Sequence, residues 1–305
     1  MNVLTSPQSY YPILDGADLR FVETADNKKI RCAIWKNGHK GLIIFLNGRN
    51  EYIEKYNQAY LKFQKLGFAV VSLDWRGQGL SEKFQSLEKL GHIETFSEYQ
   101  SDLDATLDEP SVKSIKGPRF MVAHSTGGCI GLRNLTKNNF NIERAVFLAP
   151  LWGGSMRQRL SVSVATLMVK LGFGDISLNS LEKNPDILRS TARKNCHTSD
   201  TIQFSRLQDI IKTDPRLLTG PPSFRWLSAV YEELNELSKL PILNIPHMVL
   251  LGENDTLISK KAIEPRCRNN PACEFHILKK ARHELLIEKQ ETIDIVWEKI
   301  KNFLL

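Results

Sequence analysis

No Cys-x-x-Cys pair occurs among the five cysteines, Cys32, Cys129, Cys196, Cys267 and Cys273, and their number is odd. A disulfide scaffold is therefore excluded, and a reduced, cytosolic chain is expected. No apolar run approaches the roughly 20 residues that a membrane-spanning helix needs. The nearest, Leu160 to Phe173, is interrupted by Ser161, Ser163, Thr166 and Lys170. Residues 1–11 carry neither the basic head nor the apolar stretch of an export signal. Long basic clusters are missing too. Forty-one Lys and Arg against 34 Asp and Glu leave +7, yet Lys260-Lys261 and Lys279-Lys280-Ala281-Arg282 are short and lie near Glu264, Glu274 and Glu284. Such a mixed surface argues against a nucleic-acid partner. Its surplus charge leaves open a peripheral visit by a cytoplasmic protein to the anionic inner face of a membrane. There is no internal repeat and no low-complexity tract. What is present, 42% hydrophobic and 25% charged residues in 305, suits one large core, or a core with a satellite.

Polarity alternates in Leu19–Glu23 and Lys29–Trp35 around Asp26-Asn27, the pattern of a hairpin at a sheet edge. Five later runs are nearly continuous in apolar residues: 42–46, 69–73, 120–123, 145–149 and 248–251. Strands of that kind are buried on both faces, as in a parallel sheet. Helical stretches at 56–66, 97–107 and 128–135 fit between them, and right-handed crossovers then give a doubly wound α/β sheet. A last strand over 273–278 brings the total to eight, and the amphipathic segment 284–304 closes the chain. Between Trp152 and Asn244 no comparable strand appears, and glycine and proline separate several helical stretches. The expected organisation is a core of residues 1–151 and 245–305 with a helical cap over 152–244, inserted after the sixth strand.

Chemistry is concentrated after the strands. In Met121-Val122-Ala123-His124-Ser125-Thr126-Gly127-Gly128 an apolar strand runs into a serine among small residues and then into a helix, the composition of a nucleophile elbow with Ala123 in place of the first glycine. A serine hydroxyl needs an imidazole to take its proton, and a carboxylate to orient that imidazole. Leu251-Gly252-Glu253-Asn254-Asp255 offers Asp255, with Glu253 as a rival, and Ala281-Arg282-His283 offers His283, with His276 as a rival inside a strand. The oxyanion donors would be the N–H groups of Thr126 and, in Asn47-Gly48-Arg49, of Arg49. Gly48, which lets the oxyanion loop turn, and His124, which neighbours the serine, join Trp75 and Trp152 at strand ends as candidate substrate contacts. Asp74 and Arg76 are expected to brace their loop as an ion pair. His39, His92, His197 and His247 lack metal-ligand spacing, so neither a metal nor another cofactor is expected.

Taken together, Asn47–Tyr56, Leu73-Asp74-Trp75-Arg76-Gly77-Gln78-Gly79-Leu80-Ser81, the elbow, Gly252–Asp255 and Ala281–Glu284 resemble the α/β-hydrolase branch that holds bacterial lysophospholipases and monoacylglycerol lipases. The forms Gly-Arg-x-Glu and Arg-Gly-Gln-Gly are most similar to the lysophospholipase side of it. The resemblance covers roughly 17–303. It implies an α/β-hydrolase fold and a serine esterase acting on a small lipid ester, with Ser125 as nucleophile, His283 as base and Asp255 as its orienting acid. Arg49 and Thr126 would stabilise the oxyanion. Asn47 stands where many relatives have histidine, and Thr126 where they have methionine. The apolar positions Leu160, Val164, Leu167, Met168, Leu171 and Phe173 would line a lid, facing either the acyl chain or the sheet. The oligomeric state is open.

Overall fold

The structure, a computed structural model, describes residues 12, 14–84, 87–88, 90–137, 140–153, 156–177, 186–240 and 243–305. The expectation about residues 1–11 and the side chain of Leu160 lie outside the described residues. In chain order the elements are β1 (Asp18–Glu23), β2 (Lys29–Trp35), β3 (Leu42–Leu46), α1 (Asn57–Lys65), β4 (Ala69–Leu73), α2 (Ser97–Asp108), α3 (Pro110–Lys113), β5 (Arg119–His124) and α4 (Thr126–Lys137). They continue with β6 (Ile142–Leu148), α5 (Met156–Lys170), α6 (Asp186–Arg189), α7 (Thr201–Thr213), α8 (Phe224–Lys239), β7 (His247–Gly252), α9 (Lys260–Arg268), β8 (Cys273–Leu278) and α10 (Gln290–Leu304).

The eight strands form one sheet in the order β1-β2-β4-β3-β5-β6-β7-β8. The hairpin stands at the edge as expected, its turn made by Asn27 at φ 59°, and β2 joins β4 antiparallel. All remaining pairings are parallel. The period of two along the apolar runs splits each strand between two cores. Leu42, Ile44 and Leu46 join Met121, Phe147 and Val249 on one face, under Leu103 of α2 and Ile130 of α4. Ile43 and Phe45 join Val122, Val146 and Leu250 on the other, under Tyr60 and Phe63 of α1 and Val296 and Ile300 of α10. Burial on both faces is thus why these runs carry no polar alternation.

Helices α5 to α8 fill the interval between β6 and β7. Asp200 caps α7 by accepting the N–H groups of Ile202 and Gln203, and Ser223 caps α8 by accepting that of Trp226. Helix α5 lies against α8, with Ala165 buried and the Thr166 hydroxyl 3.4 Å from that of Ser228. Val164, Leu167, Leu171 and Phe173 therefore turn outward, each about half exposed, and do not pack on the sheet.

Candidate active site

Strand β5 ends at His124 and α4 begins at Thr126, so Ser125 alone makes the turn, at φ 49°. A non-glycine residue in the left-handed region is strained, and here the surroundings hold it. The Ser125 N–H donates to Leu148 O at 3.1 Å, and its carbonyl accepts from Gly128 and Leu151 at 2.9 and 2.8 Å. Glycines let strand and helix close on this turn. A Cβ on Gly127 would collide with the carbonyl oxygens of Leu46 and Asn47, and one on Gly128 would meet Pro150. Ser125 is partly exposed between buried neighbours, at the N-terminus of α4, where helix N–H groups favour negative charge.

His283 is brought to this end of the sheet by the loop after β8, and its Nδ1 lies 2.7 Å from Asp255 Oδ2. The other Asp255 oxygen accepts the N–H groups of Leu257 and Ile258 at 2.8 and 3.2 Å. Burial raises the Asp255 carboxyl, but His283 and these two donors outweigh it and leave it below the ordinary value. With Nδ1 spent on Asp255, Nε2 of His283 is the nitrogen left to accept a proton. Glu253 is exposed and accepts the Lys280 N–H at 2.9 Å, while His276 stands on β8 beside Glu274 at 3.8 Å. Neither rival is bonded to His283 or Asp255 among the described residues. The Ser125 hydroxyl makes no hydrogen bond among the described residues; such catalytic bonds often tighten only with substrate.

The loop after β3 closes the site. A Cβ on Gly48 would lie 2.9 Å from that of Ser125, so this glycine allows the close approach. Asn47 is fully buried, and its side chain donates to Leu73 O at 3.0 Å. Trp75 and Trp152 are buried as well. Their indoles donate to Asn47 O at 2.8 Å and Gly128 O at 3.0 Å, which fixes the two segments that flank the serine.

Sequence reasoning missed a charged network beneath the site. Glu51 accepts the Gly48 N–H with one oxygen, and with the other meets Lys55 Nζ at 2.7 Å and His124 Nδ1 at 2.9 Å. Lys55 also bonds Glu284 at 2.7 Å, and the Tyr56 hydroxyl stands 3.0 Å from Glu51, His124 and Glu284. His124 thus lies behind His283, with ring centres 4.7 Å apart and Nε2 3.3 Å from the His283 carbonyl. Burial raises Glu51 and Glu284, but the cations Lys55 and His124 outweigh it and hold both carboxyls low. Glu51, His124 and Glu284 have the spacing of a metal site, yet the Lys55 ammonium already bridges the two carboxylates. Such a network could have been suspected from the Glu51–Lys55 spacing of four and from an acid directly after His283.

One expectation fails. Asp74 and Arg76 do not pair. Asp74 binds Arg31 at 3.1 Å and accepts the N–H groups of Ile53 and Leu80, whereas Arg76 binds Asp26, Glu98 and Asp102. Gly77 and Gly79, at φ 73° and 52°, fold the loop back so that the Asp74 carboxylate sits against the open face of Gly79 while Arg76 runs to α2.

Comparison with known proteins places the geometry in context. The family described as "Serine aminopeptidase, S33" matches residues 37–290. The chain is 24% identical over 275 residues to a Haemophilus influenzae protein named probable lysophospholipase L2, covering 86% of this chain and 83% of that one. It is 22% identical over 260 residues to human monoglyceride lipase, covering 84% and 80%. A Saccharomyces cerevisiae monoglyceride lipase, solved as a soluble variant with a substrate analog, has a TM-score of 0.74 at 20% identity, covering 98% of this chain and 99% of that one.

Proposed function

Because the chain belongs to the serine aminopeptidase, S33, family, we propose that it hydrolyses the acyl ester of a small lipid, a lysophospholipid or monoacylglycerol, through an acyl-enzyme. The observation that carries this reading is the Asp255–His283 hydrogen bond in the loops after β7 and β8, together with a serine held at φ 49° in the turn after β5. Ser125 attacks the ester carbonyl and gives its proton to His283 Nε2. Asp255 holds the Nδ1–H and stabilises the imidazolium. The N–H groups of Arg49 and Thr126 receive the oxyanion, and the leaving alcohol takes the proton back from His283. Water then enters by the same steps in reverse, releases the fatty acid and restores Ser125. No metal or other cofactor takes part in this sequence.

Similarity to proteins named lysophospholipase and monoglyceride lipase supports an ester rather than a peptide as substrate. So does the state of the nearest acids: Glu51 and Glu284 are neutralised by Lys55 and His124, which leaves neither free to grip the amino group of a peptide. Residues 152–244 serve as the lid in this reading, with Gly48, Trp75, Trp152 and His124 shaping the site floor and walls. No described helix is long and apolar enough to cross a membrane. Cytoplasmic residence, with lipid aggregates met through the exposed Val164, Leu167, Leu171 and Phe173, completes the proposal. Liposome co-sedimentation over a salt series checks that last part.

The central test is hydrolysis of p-nitrophenyl esters together with inactivation by a fluorophosphonate, both abolished in Ser125→Ala. Full esterase activity in that variant would refute the assignment.

A further inference from the structure

Three arginines that pack into the fold are held by acids. Arg31 meets Glu54 and Asp74, Arg76 meets Asp26, Glu98 and Asp102, and Arg133 meets Glu233. Arg49 differs. Among the described residues its guanidinium has no carboxylate partner. Nη2 donates to Gly220 O at 2.5 Å, the group stacks 4.9 Å over the Trp226 ring, and Nε is buried with no hydrogen-bond partner among the described residues. Burial with no anion to offset it pulls Arg49 down to about 10.

Two further donors close to it are in the same condition. Gln78 and Thr219 are each 2% exposed, and among the described residues neither Gln78 Nε2 nor the Thr219 hydroxyl has a hydrogen-bond partner. Both are tied to the loop that carries Arg49: Gln78 Oε1 accepts the Asn50 N–H at 2.5 Å, and Asn50 Oδ1 accepts the Thr219 N–H at 3.0 Å. A Cβ on Gly91 would stand 2.8 Å from Arg49 Nη2 and 3.2 Å from Thr219 Cγ2, so guanidinium and threonine both pack against the bare face of Gly91. A buried donor without an acceptor costs about 1–3 kcal/mol, more when charged. Three of them gathered around the loop whose Gly48 closely approaches the Ser125 side chain make sense if a multi-oxygen anion is to be received there.

Resting on the ester-hydrolase reading above, we infer that Arg49, with Gln78 and Thr219, binds the phosphate on the leaving group of the substrate, so that the site selects lysophospholipids over uncharged monoacylglycerols. The reach is compatible. In a 1-acyl lysophospholipid six bonds separate the scissile carbonyl carbon from phosphorus, and in Arg49 five bonds separate Cα, next to the oxyanion position, from the guanidinium carbon. Stacking on Trp226 holds the planar fork in place before the anion arrives, which suits a phosphate with oxygens to spare.

The test compares kcat/KM for 1-oleoyl lysophosphatidylcholine and 1-oleoyl glycerol in wild type, Arg49→Gln and Arg49→Lys. Loss of the phosphate contact lowers the lysophospholipid-to-monoacylglycerol ratio about 10- to 100-fold in Arg49→Gln, less in Arg49→Lys. A purely structural role would depress both substrates alike, and an unchanged ratio overturns the inference. In wild type, sn-glycerol 3-phosphate should inhibit monoacylglycerol hydrolysis more strongly than glycerol; equal inhibition also overturns it. If inorganic phosphate alters turnover while the ratio is unchanged in Arg49→Gln, the slot serves a free anion and the assignment to substrate fails. Wild-type protein that cleaves neither ester fails the ester-hydrolase reading itself.

Discussion

Glu51 holds Gly48 from below: one carboxylate oxygen takes the Gly48 N–H while the other is bound by Lys55 and His124. In the proposed mechanism the acid therefore fixes the turn that carries the next N–H, that of Arg49, toward the oxyanion. Glu51→Gln keeps the shape and removes the charge. A loop misplaced by about 1 Å can cost up to about 100-fold in rate, so kcat on a p-nitrophenyl ester should fall about 10- to 100-fold with little change in KM. Steady-state kinetics decide this, and a wild-type kcat would detach the network from catalysis.

Asp255→Asn should lower kcat by about 10⁴-fold, because the amide no longer sets the His283 tautomer or stabilises the imidazolium. Glu253→Gln should stay within about twofold, since Glu253 is exposed and its side chain bonds only the Lys280 N–H among the described residues. Kinetics of the two variants in parallel, with folding verified by circular dichroism, separate the two acids. The reverse ranking would reassign the orienting carboxylate.

Gly127→Ala pushes a methyl group into the carbonyl oxygens of Leu46 and Asn47, backbone atoms at the sheet centre that cannot swing away. Overpacking of this kind costs about 1–3 kcal/mol. Gly172→Ala, at φ 85° with open space around it, meets only backbone strain. Thermal unfolding should therefore show the larger drop in Tm for Gly127→Ala, with esterase activity lost alongside it.

His197 links pH to stability. Burial lowers it, but hydrogen bonds with the side chains of Cys196 and Glu284 outweigh this and raise it from 6.5 to about 9. The folded value is above the unfolded one, so this stabilisation is complete below about pH 6.5 and is lost as pH rises through about 9. Urea unfolding at pH 6, 7.5 and 9 should show the wild type losing stability across that window and His197→Asn losing less. Parallel curves for the two proteins would rule out His197 as the source.

The sheet was readable because runs such as Leu42–Leu46 and Met248–Leu251 have no polar face to hide, which identifies strands covered on both sides. The Ser125 turn and the Asp255–His283 pairing were readable because these residues sit at or in the loop after a strand end, where local sequence and position coincide. The pairing of Asp74 and Arg76 was misread, because closeness in sequence says nothing about a loop folded back by Gly77 and Gly79. Hydrophobic spacing found the apolar side of α5 but could not say that Ala165 would face α8 and leave Leu167 and Leu171 outside. The network of Glu51, Tyr56, His124, His197 and Glu284 was only hinted at, by the Glu51–Lys55 spacing and the acid after His283, because its members come from four separate stretches that meet only in three dimensions.

The loop carrying His283 is joined to residues 193–199 almost wholly through main-chain atoms of that segment. Arg282 donates to the carbonyl oxygens of Arg193, Asn195 and Thr198, the Glu284 N–H donates to His197 O, and Glu288 accepts the Ser199 N–H and hydroxyl. Carbonyl and amide groups are the same in every residue but proline. For this row the spacing of residues 193–199 thus matters more than their side chains, although those of Asn195, His197 and Ser199 are themselves bonded, and a single insertion or deletion there would shift the whole row of acceptors and pull the histidine out of register.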